Sequence, residues 1–258
     1  MPGRRPGEYL TDREADEAVK FIEAHKGTPF FLMLAHYAVH TPIQAKEDVT
    51  AKYQAKPKTG QSNAKYAAMV ESVDDAAGRV METLERLQLI DKTLIIFTSD
   101  NGGLRNVTDN SPLRSGKGFP YEGGIRVPLI VRWPGVVKPG TTTDVPAISC
   151  DFFPTVLEAA GVPLPTDRPL DGVSLMPVLK GAGDLAPRAL LWHFPHYRGG
   201  LGPYSIIRDG KWKLIRRYDG DRRELYDLDK DLSETTDLAE TMPDKVTELD
   251  AKLDALLK

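Results

Sequence analysis

Asp100 and Asn101 set a carboxylate and an amide side by side at the end of the apolar run Leu94-Ile-Ile-Phe97. Their side-chain oxygens suit a hard divalent cation, and Gly102-Gly103 behind them lets the chain turn away sharply. An ordinary Asn-Gly turn after a core strand accounts for the same residues, and both readings stand at this point. Lys117 sits in Arg114-Ser-Gly-Lys-Gly118, a glycine-flanked loop ahead of a second apolar run, where an ammonium could meet an anion. His36 and His40 stand four residues apart and would make a metal pair on a helix, but the apolar stretch before them and Pro42 after them argue against a helix there. Arg126 is expected to fix its own loop through Glu122, and Arg216-Arg217 to lie on a solvated strand face.

The elements that must position these groups read as follows. Thr11-Asp-Arg-Glu14 has the form of a capping box opening a helix through about His25, with Ala15, Ala18, Val19 and Ile22 on one face. Pro29 to Ala35 reads as a buried strand. From about Asn63 to Leu89, Tyr66, Met69, Val70, Val73, Ala77, Val80, Leu84 and Leu87 recur at helical spacing and predict one long amphipathic helix. It leads into the run 94–97, which has the continuous apolar character of a strand buried on both faces of a mostly parallel sheet, so the segment reads as β-α-β. Asp151 to Ala160, closed by Gly161, predicts another helix, and Val162 to Gly183 a proline- and glycine-rich connection. Beyond residue 184 the pattern changes to short alternating strands at Ala189 to Phe194, Tyr204 to Asp209, Lys211 to Tyr218 and Glu224 to Asp227, with Asp209-Gly210 as a hairpin signal. Pro243 then starts a helix carrying Val246, Leu249, Leu253 and Leu256. We expect two parts, residues 1–184 and 185–258.

The 258 residues are 41% hydrophobic and 28% charged with a net charge of −3, enough for a sizeable core and not basic enough to suggest nucleic acid. No window approaches the ~18 consecutive apolar residues of a membrane span, and the opening Met1-Pro-Gly-Arg-Arg-Pro lacks the apolar core of a secretory signal. A single cysteine, Cys150, excludes an internal disulfide and leaves the compartment open.

The order strand-Asp-Asn-Gly, Gly-Lys-Gly, Glu122-Gly-Gly-Ile-Arg-Val-Pro128, read with Ala35-His-Tyr-Ala-Val-His-Thr-Pro42, resembles the type I sulfatases of the alkaline phosphatase superfamily. Tyr9-Leu-Thr-Asp12, Cys150-Asp-Phe-Phe-Pro-Thr155, Leu170-Asp-Gly-Val-Ser-Leu175, Asp209-Gly-Lys-Trp-Lys-Leu214 and Glu224-Leu-Tyr-Asp-Leu228 extend the likeness over nearly the whole chain. The resemblance implies an α/β fold: an incomplete sulfatase-like mixed sheet flanked by helices, plus a small antiparallel sheet with a terminal helix. It implies Asp100 and Asn101 as ligands of a divalent cation, usually calcium, and Lys117 as the lysine that pairs with sulfate oxygens. It implies His40 as the histidine near the ester oxygen, where an imidazolium can assist leaving-group departure. His193, His196 and Arg198 match a stretch bordering the substrate pocket, with a packed strand histidine as the competing reading.

The family's Cys-x-Pro-x-Arg or Ser-x-Pro-x-Arg motif, whose first residue becomes formylglycine, does not occur in the 258 residues, nor does the pair of adjacent aspartates that precedes it. The expectation is therefore a truncated sulfatase-family ester hydrolase without formylglycine. Two further readings are a reduced hydrolase of activated phosphate, phosphotriester or sulfate esters, using zinc or manganese at a repurposed site, and an inactive anion-binding fragment or complementation partner. The expected partners are a small-molecule sulfate or phosphate ester, with no nucleic acid and no membrane. An unpartnered strand edge would favour a homo-oligomer or pairing through that edge, unless residues 1–10 or a loop cap it.

Overall fold

The computed structural model describes residues 7–57, 61–198 and 200–258. The first six residues, part of the 1–10 segment named above as a cap for a sheet edge, lie outside them. The chain divides into two compact units: one runs through Thr93 and takes in Asn106–Asp109, and the other comprises Leu94–Arg105 and Asn110–Lys258.

The first unit is helical. Helix α1 spans Leu10–Ala24, α2 Glu47–Gln54 and α3 Ala64–Arg86, and α3 packs against both others. The capping box does not form. Tyr9 is the N-cap with no side-chain cap bond, and Thr11 is buried inside the helix. Glu14, its expected partner, instead accepts from His36 Nδ1 at 2.7 Å. Along α3 the buried residues are Ala68, Met69, Ser72, Ala76, Thr83 and Leu84, while Val70 is exposed. The true contact face is therefore offset from the one the large apolar residues suggest. Small residues at 68, 72 and 76, facing an α1 whose buried positions include Ala15 and Ala18, allow close helix approach, and burial follows closeness rather than side-chain size. The Asn63 side chain accepts from the Tyr66 amide at 3.0 Å and starts α3. Asn63→Ala is expected to destabilise this unit by about 1 kcal/mol, read as a lower urea midpoint at unchanged slope.

The expected strand at 29–35 is corrected. The backbone is extended and its exposure alternates, but no described strand offers it a ladder, and Phe31 and Met33 are 68% and 77% exposed. Extended apolar residues become a strand only when a neighbour supplies hydrogen bonds.

The second unit holds two sheets. Strands β1 (Ile95–Thr98) and β2 (Leu129–Arg132) pair antiparallel, with Ile95 opposite Arg132 and Thr98 opposite Leu129. Neither the parallel β-α-β arrangement nor burial on both faces is found: Phe97 is 42% and Ile130 60% exposed. Helix α4 (Glu122–Ile125) lies between these strands in sequence, followed by α5 (Phe152–Ala159) and the one-turn α6 (Met176–Leu179) within the proline-rich connection. Gly161, at φ +67°, closes α5 as expected.

Strands β3 (Ala189–Phe194), β4 (Tyr204–Asp209), β5 (Trp212–Arg217) and β6 (Arg222–Asp227) form an antiparallel meander in chain order, and α7 (Pro243–Leu256) follows. Both faces of the meander are covered. Ile207, Leu214 and Leu225 pack with Leu249 and Leu253 of α7, while Ile206, Ile215 and Tyr226 pack with Tyr121 on the other side. This double burial overturns the solvated reading of Arg216. It is buried on the α7 face, bonded through Nε to Asp250 at 2.7 Å and through Nη1 to Asp254 at 2.5 Å. Arg217 is partly exposed and pairs with Asp219 at 3.3 Å.

Candidate functional site

The two glycine-rich loops of the second unit are packed main chain against main chain. Gly102 N donates to Gly124 O at 3.0 Å, Lys117 N to Gly103 O at 2.9 Å, and Gly123 N to Arg114 O at 2.9 Å. A Cβ on Gly102 would stand 1.8 Å from the Gly123 oxygen, one on Gly116 2.3 Å from the Gly103 oxygen, and one on Gly124 2.2 Å from the Phe119 oxygen. These glycines are fixed by contact with backbone that has no room to move aside. The Asn110 side-chain amide closes the knot, donating to Gly103 O at 3.0 Å and Ser115 O at 2.9 Å.

On this frame Asp100 and Asn101 sit at the end of β1, with the Asn101 amide donating to Asp100 Oδ1 at 3.0 Å. Both reach the surface, and Asp100 is exposed. Their oxygens fit a hard cation in kind but supply only two donors, where calcium takes about six to eight. No group of three or more His, Cys, Asp or Glu side chains that could hold a metal occurs among the described residues.

Lys117 lies on the same frame, and the next residue brings a second cation to it. Gly118 has φ +86°, and the space its Cβ would fill is taken by Arg198, whose Nε and Cδ lie 2.7 and 2.8 Å from that point. Residues 81 positions apart in sequence thus place an ammonium loop and a guanidinium together. Arg198 is held by a two-way backbone bridge with Leu201, 2.9 Å each way. His193 Nδ1 meets Ser205 Oγ at 2.7 Å, and Ser205 Oγ meets the Tyr218 hydroxyl at 2.9 Å, so this histidine is an anchored strand residue with an exposed ring. His196 is exposed with its ring edge-on to Phe194 at 5.3 Å. Arg126 pairs with Glu122 at 3.7 Å, as expected.

In the first unit, His36 is engaged by Glu14, and His40 Nδ1 lies 2.8 Å from the Thr41 carbonyl oxygen. A carbonyl only accepts, so Nδ1 carries a hydrogen and Nε2 is left for other chemistry.

Two buried ionic centres brace the second unit, and sequence reasoning missed both. Lys213 Nζ lies 2.9 Å from Glu122 Oε1 and 2.7 Å from Glu234 Oε1, with all three side chains essentially solvent-free. Asp151 accepts from the amides of Ile148 and Val173 at 2.9 and 3.0 Å and takes both Arg188 terminal nitrogens, at 2.6 and 2.5 Å. The signal for the second was present in Cys150-Asp-Phe-Phe-Pro-Thr155 and Leu170-Asp-Gly-Val-Ser-Leu175. Their fit is structural: Gly172 presses on the Cys150 carbonyl, and Thr155 Oγ1 accepts from Leu175 N at 2.8 Å.

Residues 1–162 match the family model described as Sulfatase, and residues 115–258 the model described as N-sulphoglucosamine sulphohydrolase, C-terminal. The chain belongs to the sulfatase family. It is 39% identical to a sulfatase of Formosa agariphila over 93% of this chain and 47% of that protein, and 40% identical to rat (Rattus norvegicus) steryl-sulfatase over 74% of this chain and 34% of that protein. Among solved structures it is similar to Ps i-CgsB in complex with k-i-k-neocarrahexaose, with a TM-score of 0.87 and 31% identity over 99% of this chain and 56% of that one. This sulfatase chain thus spans about half the length of relatives it matches, or less. The likeness bears out the mixed α/β fold and the type I sulfatase resemblance carried by the Asp-Asn-Gly, Gly-Lys-Gly and Glu-Gly-Gly segments.

Proposed function

We propose that this chain carries the sulfate-binding part, and a share of the metal-binding part, of a sulfate-ester hydrolase site. The observation that carries the reading is the seating of Arg198 on Gly118, beside Lys117. Lys117 takes sulfate oxygens as a point charge, and Arg198 adds a planar donor fork suited to a tetrahedral oxyanion. His193 and His196 contact the rest of the ester from the β3 end. By family resemblance His40 is the group that protonates the departing alcohol oxygen; with Nδ1–H given to the Thr41 carbonyl, Nε2 donates only when both ring nitrogens carry hydrogen. Asp100 and Asn101 contribute two ligands to a divalent ion, calcium by family resemblance, and that ion when bound offsets charge on the sulfate oxygens. Because no formylglycine motif occurs in the 258 residues, the chain by itself binds sulfate esters without turning them over, and hydrolysis requires a nucleophile from elsewhere. The exposed apolar residues of β1 and β2 support association through that sheet, with a second copy or a complementing segment.

The test is thermal unfolding in sodium sulfate against sodium chloride of equal ionic strength. The midpoint is expected to rise with sulfate in the wild type, and much less in Lys117→Ala and Arg198→Ala. An equal response to the two salts sinks the anion site. Turnover of p-nitrophenyl sulfate or a phosphate triester on restoring calcium, zinc or manganese, lost in Asp100→Ala, would replace this reading with a metal-dependent hydrolase.

A further inference from the structure

Arg114 opens the loop that carries Lys117, yet its side chain is spent on distant parts of the chain. Its guanidinium lies 3.8 Å from the Tyr121 ring centroid, a cation–π contact, and donates to the Tyr226 hydroxyl at 3.0 Å and the Glu234 carbonyl oxygen at 2.7 Å. Tyr226 in turn donates to Glu224 Oε2 at 2.8 Å, and Tyr121 donates to the same oxygen at 2.9 Å. Glu224 is buried on β6. Burial, and then the charge of Glu224, push the Tyr121 hydroxyl up to about 12; burial and the bond to Glu224 raise Tyr226 as well. Both phenols therefore keep their protons. The carboxylate can only accept, so Tyr226 spends its proton on Glu224 and turns a lone pair to Arg114. The direction of every bond in the relay is fixed by chemistry.

The main chain of the same loop has backbone bonds of its own, including a local turn from Phe119 N to Gly116 O at 3.0 Å. Arg114 O accepts from Gly123 N, and Lys117 N donates to Gly103 O, each at 2.9 Å. Without the side-chain anchor, the segment 114–118 would hang on these bonds and on the Asn110 clamp at Ser115.

We propose that Arg114 is a positioning residue for the anion site: the relay from Glu224 through Tyr226 to Arg114 fixes the 114–118 main chain to strand β6 of the four-stranded sheet and so sets where Lys117 projects. The consequence for sulfate affinity rests on the function proposed above; the anchoring itself does not.

Tyr226→Phe removes the hydroxyl and leaves the ring. Amide hydrogen exchange followed by NMR on the whole chain is expected to speed up about five- to tenfold at Lys117 and Gly123, the scale of one lost hydrogen bond. Ile206 and Ile215, in the sheet, should exchange at wild-type rates. Arg114→Met should give a larger effect at the same two amides, and Glu224→Gln, which keeps an accepting oxygen, a smaller one. The dissociation constant for sulfate should weaken in the order of the exchange changes. Wild-type exchange at Lys117 and Gly123 in both Tyr226→Phe and Arg114→Met overturns the proposal, and so does acceleration spread equally over the sheet. Faster local exchange in the variants, together with no sulfate binding by the wild type, would keep the anchor and remove the anion-site reading.

Discussion

Lys213→Met is expected to destabilise the second unit by about 3–5 kcal/mol, because it leaves two buried carboxylates facing each other without their cation. Lys213 is fully buried between Glu122 and Glu234, and no solvent can take over its charge. The loss should depend on pH. Burial is the largest influence on Glu234 and raises its pKa, with Lys213 pulling the other way. A carboxyl group whose folded pKa lies above its unfolded value binds protons more readily when folded. Its charge therefore weakens the fold as pH rises from the unfolded value of about 4.3 through the raised folded value. Removing Lys213 removes the opposing pull and extends that window upward. Urea midpoints at about pH 5 and about pH 8 should show the larger deficit at the higher pH. Equal deficits at both would mean that the buried carboxylates are not what the lysine stabilises.

Asp151→Asn should cost about 3–5 kcal/mol by the same reasoning with the charges exchanged, since it strips the partner from a largely buried Arg188 guanidinium. Here the pH dependence has the opposite sign. Burial alone would raise the Asp151 pKa, but Arg188 and the amides of Ile148 and Val173 outweigh it and hold the carboxyl below its ordinary range. A depressed folded pKa contributes stability that is complete above the unfolded value of about 3.9 and is lost as pH falls through the folded one. Thermal midpoints of wild type and variant should thus stay apart from neutral pH down to about pH 4 and converge only in stronger acid. Convergence already near pH 6 would assign the effect to another group.

Both centres show what could be read from the chain beforehand and what could not. The four-stranded meander and α7 were legible because their determinants are local: period-two alternation, the Asp209-Gly210 turn and Pro243 at a helix start. That β5 is covered on both faces was not, because the covering residues, Tyr121 and Leu249 among them, come from far along the sequence. Arg216 therefore looked like a solvated charge in an alternating strand, and nothing in the chain marked Lys213 as buried. The stretch 29–35 looked like a strand because composition marks an extended apolar segment but says nothing about a ladder partner. In the site, the glycines around Asp100 and Lys117 marked the loops correctly. Their mutual backbone contacts, and the approach of Arg198 to Gly118, needed coordinates.

The glycine knot carries one more implication. Because the atom nearest to a Cβ on Gly102, Gly116, Gly123 or Gly124 is in each case a carbonyl oxygen, the shape of these loops is written largely in the main chain. Side-chain identity at Asp100, Asn101 and Lys117 contributes little to that shape, so those three positions can be exchanged while the cradle persists. A scaffold of this kind separates foldability from chemistry: a randomised library should tolerate wide variation at these three positions and almost none at the glycines, giving new ligand preferences a route that leaves the architecture intact.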